Sequence, residues 1–176
     1  MVNAHPLSPT PDPDDASTPS RFHVLLTEDR SRPEEHWTHQ LPRLIKPLGI
    51  HAHRVATAEE ALEVAGRTRF HAAFVDLATP RGRASHVADD GGLWLLRVLQ
   101  RLETRPPVVV VNSRATQRQA VRLLNEALRL GAFSVVNQPV QVNALLTVIQ
   151  RLLDRHHRGQ WPTPAPAPGS ATPPTN

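Results

Sequence analysis

FHAAFVDLATP, residues 70–80, is the stretch whose reading decides the fold. A short apolar run, Ala72 to Val75, delivers one carboxylate, Asp76, and Thr79-Pro80 follows as a turn signal. An uninterrupted apolar run of this length between turn residues reads as a strand buried on both faces, as in a parallel sheet. Asp76 then stands at the carboxyl end of a central strand, where open α/β sheets hold their ligands. An Asp after a strand is also a common turn residue or helix cap. What lifts Asp76 above that reading is a second acidic strand end, Glu28-Asp29, near the start of the chain.

Outward from this stretch, strand and helix signals alternate. FHVLLT, residues 22–27, reads as a first strand. Pro33-Glu34-Glu35 suits a helix start, with Pro early and acids near the positive end of the dipole. This helix is expected to turn Trp37, Leu41, Leu44 and Ile45 inward, with a kink at Pro42 and a stop at Gly49. Ile50–Val55 is a second strand, and Thr57 followed by Glu60 is a capping-box signature for a helix to about Arg67. After the Asp76 strand comes a helix over Gly92–Glu103, with Leu93, Leu96 and Leu99 on one face. PPVVVVN, Pro106–Asn112, is a fourth and again central strand. A helix over Ala115–Leu130 is expected to point Val121, Leu124 and Leu128 inward and to stop at Gly131. Phe133–Val136 is a fifth strand and Val142–His157 a last helix. Five strands alternating with five helices argue for a doubly wound parallel sheet, and short right-handed crossovers give the flavodoxin-like order 2-1-3-4-5.

Composition bounds the rest. A chain of 176 residues is one domain with something to spare. It has no cysteine, which excludes disulfides and thiolate metal sites. No apolar run approaches the roughly 20 residues that span a bilayer, and the N-terminus lacks the basic end and apolar core of a secretory signal. The expectation is a cytoplasmic protein with no membrane contact. Lys46 is the sole lysine, so any site that needs a lysine has almost none to draw on. Residues 1–20, rich in Pro and Asp, and residues 159–176, rich in Pro and Ala, have little to bury and read as disordered tails. The domain is expected over 21–158.

In the order 2-1-3-4-5 the first and third strands are neighbours, so Glu28, Asp29 and Asp76 converge. Carboxylates sharing a site repel one another unless a hard divalent cation neutralises them. Mg²⁺, which takes a few carboxylates and keeps several waters, is the natural occupant. The plainer alternative is an acidic surface patch screened by arginines; the metal is preferred because the fold itself gathers these strand ends.

HVLLTEDR, FVDLATP, PPVVVVNS and GAFSVVNQP, in this order, resemble the receiver domain of bacterial two-component response regulators, over essentially all of residues 21–158. The resemblance implies a Mg²⁺-binding acidic pair, matched by Glu28 and Asp29. It implies an acceptor of a phosphoryl group from a histidine kinase or phosphotransfer protein, matched by Asp76. The backbone carbonyl of Ala78 would be a further metal ligand, and Pro80 also fits. The face made by the fourth helix, the fifth strand and the fifth helix would meet a downstream protein partner.

The departures are as informative. The family's Ser or Thr after the fourth strand is replaced by Asn112, with Ser113 one residue late. The fifth-strand aromatic position is Val135. The lysine before the fifth-strand proline is replaced by Gln138. A phosphoryl group carries nearly two negative charges, and a neutral amide does not offset them. Electrostatic stabilisation is most of what catalyses phosphoryl transfer, so both transfer and readout are expected to be weakened.

Ala78–Gly91 is several residues longer than the family's usual loop. It reads as a mobile polar insertion in preference to a lid whose Arg81 or Arg83 restores the missing cation. Arg114, Arg118 and Arg122 on the fourth helix, and Arg151, Arg155 and Arg158 on the fifth, read first as a solvated face, and second as a basic stripe for an acidic protein or a phosphate backbone. His51, His53, His156 and His157 read as surface histidines. No DNA-reading module follows the receiver-like region, so DNA binding is not expected. A nucleotide-binding oxidoreductase on the same fold would need a glycine-rich loop after the first strand, which is missing. The sequence therefore points to an atypical single-domain response regulator of a phosphorelay, a signalling module and not an enzyme, with Asp76 as nominal phosphoacceptor and impaired switching. The alternative is a phosphorylation-independent receiver-like interaction module.

Overall fold

The computed structural model of the chain describes residues 22–28, 37–84, 91–112, 117–137 and 139–157, with the side chains of 117–120 left aside. Both proline-rich ends, the Pro33–Glu35 helix start, Asp29, Ser113, Arg114, Gln138 and Arg158 lie outside the described residues. The strands are β1 (Phe22–Thr27), β2 (Ile50–Val55), β3 (Ala72–Asp76), β4 (Val108–Asn112) and β5 (Ser134–Asn137). The helices are α1 (Trp37–Ile45), α2 (Ala58–Ala65), α3 (Gly91–Leu99), α4 (Gln117–Arg129) and α5 (Val142–His156). Every strand pair is parallel, and the order is β2-β1-β3-β4-β5, the flavodoxin-like arrangement.

Alternation along the strands builds two apolar layers. Leu25, Ala73, Val75, Val108 and Val110 pack with residues of α2, α3 and α4. Phe22, Val24, Leu26, Phe74, Val109 and Val111 pack with residues of α1 and α5. Because helices cover both faces, all of β3 and β4 is buried, which is why their sequences are continuous apolar runs. Each fully buried Leu or Val contributes about 1.5–3 kcal/mol.

The start of α2 follows the capping box. Thr57 Oγ1 accepts the Glu60 N–H at 3.1 Å, and Glu60 Oε2 accepts the Ala56 N–H at 3.0 Å. Two more N–H groups of its first turn, on Ala58 and Glu59, donate to the carbonyls of Pro80 and Arg81, both at 3.0 Å. The segment after β3 is thereby tied to α2.

Three inward assignments are corrected. Leu44 is 48% exposed, Val121 53% and Leu128 50%; the residues that α4 buries are Leu123 and Ala127. The helix carries two adjacent apolar rows, and periodicity does not say which one the sheet takes. The sheet takes the row with the small Ala127, which permits close approach. α3 ends at Leu99 and not at Glu103, and Pro42 sits inside α1, which closes through a 3-10 turn at Lys46–Leu48 into Gly49 with φ of 75°.

Candidate functional site around Asp76

Asp76 is the last residue of β3 and is fully buried. Its Oδ1 accepts the backbone N–H of Ala78 at 2.8 Å, closing an Asx turn that aims the side chain along the strand end. Its own N–H donates to Thr27 Oγ1 at 2.8 Å, and that hydroxyl also meets Thr79 Oγ1 at 2.6 Å. Thr27 ends β1 and both hydroxyls are buried, so two threonines lock the neighbouring strand ends and the following turn together. In the sequence Thr79 reads only as a turn signal, and Thr27 carries no assigned role. The available signal was a polar β-branched residue closing an otherwise apolar strand.

The first turn of α3 packs directly on this backbone. A Cβ on Gly92 would lie 2.4 Å from the Asp76 carbonyl oxygen and 2.7 Å from Leu77 Cα. A Cβ on Gly91 would lie 2.5 Å from the Thr79 carbonyl oxygen. Both contacts are with backbone, so only glycine permits the approach.

Glu28 follows β1 directly, and its N–H extends the pairing to Val55 O at 3.0 Å. Its carboxylate is ion-paired with Arg54 of β2, whose guanidinium also meets His39 Nε2 at 3.1 Å. Among the described residues no three ligating side chains stand together at metal spacing. The groups in question, the carboxylates of Asp76 and Glu28 and the carbonyl of Ala78, are all oxygen donors, and that chemistry fits a hard cation. A cation taking Glu28 would have to draw it from Arg54.

Across the sheet, Asn112 and Asn137 are register partners at the ends of β4 and β5. Asn112 Nδ2 donates to Asn137 Oδ1 at 3.1 Å, and Asn112 is only 6% exposed. Val135 is half-buried against the α2–α3–α4 layer. Of the long loop, Arg81 lies over the Trp94 ring at 4.4 Å from its centroid. Arg83 shares the lining of an open concavity with Glu59, Glu60 and Glu63 of α2. The described half of the loop is thus bound to α2 and α3 by backbone hydrogen bonds and cation–π contact; residues 85–90 lie outside the description.

The histidines separate from the surface reading. His51 and His53 stand with His23 in one group of rings, and His23 Nδ1 is 3.0 Å from His53 Nε2. The His23 N–H donates to His71 Nδ1 at 3.1 Å, while His157 Nε2 donates to the His71 carbonyl at 3.1 Å. Burial first, and then the positive charge of His51, holds His23 below the ordinary histidine range. Burial does the same for His71, helped by His157, His23 and Arg69. His156 alone of the four remains exposed.

No protein-family model and no curated protein sequence matches the chain. Solved structures do. A CheY-like response regulator receiver domain protein from Methanospirillum hungatei superposes with a TM-score of 0.59 at 24% identity, covering 77% of this chain and 95% of that one. A two-component response regulator from Clostridium difficile gives 0.60 at 15% identity, covering 78% and 99%. A response regulator protein from Burkholderia pseudomallei, determined with a phosphorylated aspartic acid, a calcium ion and citrate, gives 0.53 at 24% identity, covering 74% and 71%. In strand order, helix placement and extent, the chain has the fold of a response-regulator receiver domain.

Proposed function

We propose that this protein is an atypical response regulator in which Asp76 accepts a phosphoryl group from a histidine kinase or phosphotransfer protein, with a weakened conformational response. The observation that carries the reading is the placement of Asp76: a carboxylate closing a central parallel strand, oriented by the Ala78 N–H, on a backbone tied through its own N–H to Thr27 and thence to Thr79. A carboxylate so held is preorganised as a nucleophile, since little freedom remains to be lost on reaction. Asp76, Glu28, Asp29 and the Ala78 carbonyl would hold Mg²⁺, whose charge would offset that of the phosphoryl oxygens. The phosphorylated aspartic acid of the Burkholderia pseudomallei regulator supports the same chemistry on this fold. On the output side, Val121 and Leu128 expose apolar surface on α4 beside the exposed Arg122, and this face would receive the protein partner.

The test is reaction of the full chain with a small phosphodonor and Mg²⁺, read by intact mass. One added phosphoryl group, abolished by Asp76→Asn, supports the proposal. A wild type that stays unlabelled leaves the phosphorylation-independent interaction module. Two observations favour that second reading: Asn112 is already hydrogen-bonded to Asn137, and Glu28 is already paired with Arg54.

A further inference from the structure

At the end of the sheet opposite Asp76, the segments entering β4 and β5 and the last turn of α5 surround an open concavity of about 460 Å³. That size lies within the range of small-molecule sites. Its polar lining is Arg105, Arg155, His156 and Gln100, and its apolar lining includes Pro107 and Phe133. Gln100 Nε2 donates to the Gly131 carbonyl at 3.3 Å and joins the two loops that form the walls. Phe133 and His156 meet edge to face, with ring centroids 5.4 Å apart.

The charge in this concavity is one-signed. No carboxylate lines it. Arg54, Arg67 and Arg97 each meet a glutamate, whereas neither Arg105 nor Arg155 has a carboxylate partner among the described residues. Packing against the domain, then the positive charges of His157 and Arg155, hold His156 below its ordinary range. Arg105 adds a further cation from the wall before β4. Guanidinium groups match phosphate oxygens in bidentate fashion and also stack on flat rings. A bare anion would use the arginines and leave Phe133 and Pro107 uncovered.

We propose that this concavity binds a small ring-bearing phosphate of the mononucleotide class. The phosphate lies between Arg105 and Arg155, and the ring lies against Phe133 and Pro107. The site is separate from Asp76 and does not depend on its phosphorylation.

The test is calorimetric titration of the full chain with adenosine monophosphate, inorganic phosphate and adenosine. The nucleotide should bind at one saturable site, about tenfold or more tightly than either fragment. Arg105→Gln and Arg155→Gln should each weaken it by about tenfold while leaving the melting temperature unchanged, since both side chains are exposed. Nucleotide affinity should rise as the pH falls and His156 charges, and His156→Gln should flatten that dependence. Inorganic phosphate binding as tightly as the nucleotide overturns the ring contact and with it the proposal. So does nucleotide binding that ignores both arginine variants, or no saturable binding at millimolar ligand.

Discussion

Asn112 and Asn137, register partners at the carboxyl ends of β4 and β5, are joined side chain to side chain at 3.1 Å. Both positions lie at the end of the sheet that carries Asp76, one strand and two strands from β3. The bond is part-buried, with Asn137 exposed, and a neutral hydrogen bond of this kind contributes about 0.5–1.5 kcal/mol. Any movement of Asn112 toward a phosphoryl group on Asp76 must first break it. On the proposed reading, the amide would therefore act as a latch within β4–β5 as much as a stand-in for a hydroxyl.

The latch predicts a coupling energy. In a double-mutant cycle, Asn112→Ala and Asn137→Ala measured singly and together by urea denaturation should show roughly 0.5–1.5 kcal/mol of interaction. Additive losses would mean that the two amides do not meet in solution.

The threonine lock predicts a larger effect. Thr27→Val keeps the side-chain shape but leaves the Asp76 N–H and the Thr79 hydroxyl without their buried partner. The cost should be about 1–3 kcal/mol, and Thr79→Val alone should cost less, because Thr27 can still serve Asp76. Equal losses for the two variants would place the lock elsewhere.

The histidine group predicts a pH dependence with a definite sign. His71 Nδ1 accepts a backbone N–H, so that nitrogen must be unprotonated, and the His23–His53 contact needs at least one unprotonated nitrogen. Burial and the neighbouring charges lower the folded pKa values of His23 and His71 from 6.5. The unfolded chain therefore binds more protons below that pH, and stability rises with pH there. The contribution is fully present above about 6.5 and is lost as the pH falls through the lowered folded values. Urea midpoints between pH 7.5 and 5 should fall accordingly. His71→Asn, which keeps an acceptor but cannot titrate, should flatten part of the fall. An unchanged slope in that variant would remove His71 from the account.

How much of this was legible in the sequence divides along physical lines. The valines of β4 and the FHAAFVD run marked the central strands, because burial on both faces leaves a continuous apolar run whose short length, β-branched content and flanking turn residues suit a strand and not a helix. Asp76 followed from its place at a strand end. The α4 rows were not legible, since Val121–Leu124–Leu128 and Leu123–Ala127 satisfy the helical period equally well and only the packed neighbour chooses. Nor were the Thr27–Thr79 and Asn112–Asn137 contacts, which join residues 52 and 25 positions apart. The expected order β2-β1-β3 already made the strand regions of His23, His53 and His71 neighbours, but strand order alone does not say which side chains meet across them.

The Glu28–Arg54 pair predicts how the protein answers Mg²⁺. If Asp76, Glu28 and Asp29 share a cation, millimolar Mg²⁺ should raise the melting temperature by linkage, and Asp76→Asn should blunt the rise. Arg54 competes for the Glu28 carboxylate, so Arg54→Gln should enlarge the Mg²⁺ response. The pair is partly exposed and is worth at most about 1 kcal/mol by itself, so the variant should cost little stability. A wild type indifferent to Mg²⁺, with Arg54→Gln equally indifferent, would show that no metal site assembles.

Gln138 supplies the prediction that separates the two functional readings. If Asp76 is the acceptor, the resemblance of GAFSVVNQP to the receiver motif implies that Gln138, a neutral amide, takes the position of a lysine that would bridge the acceptor carboxylate and the incoming phosphoryl group. Of the long-loop arginines that could replace that charge, Arg81 lies over Trp94, and Arg83 lines a concavity with the glutamates of α2. If the absent cation limits the chemistry, Gln138→Lys should raise labelling of Asp76 by a small phosphodonor. One charge-assisted contact is worth about 1.5–3 kcal/mol, which corresponds to roughly ten- to a hundredfold in rate. Adding Asn112→Thr should release the β4–β5 latch and recover part of the conformational response, although Val135 still lacks the aromatic ring that reports it. Rapid labelling of the wild type, with no gain in Gln138→Lys, would mean that another cation already serves, and Arg81→Gln and Arg83→Gln would then identify it. Failure of both proteins to label, with Mg²⁺ bound, would leave the site closed to phosphoryl transfer and establish constitutive docking as the better account.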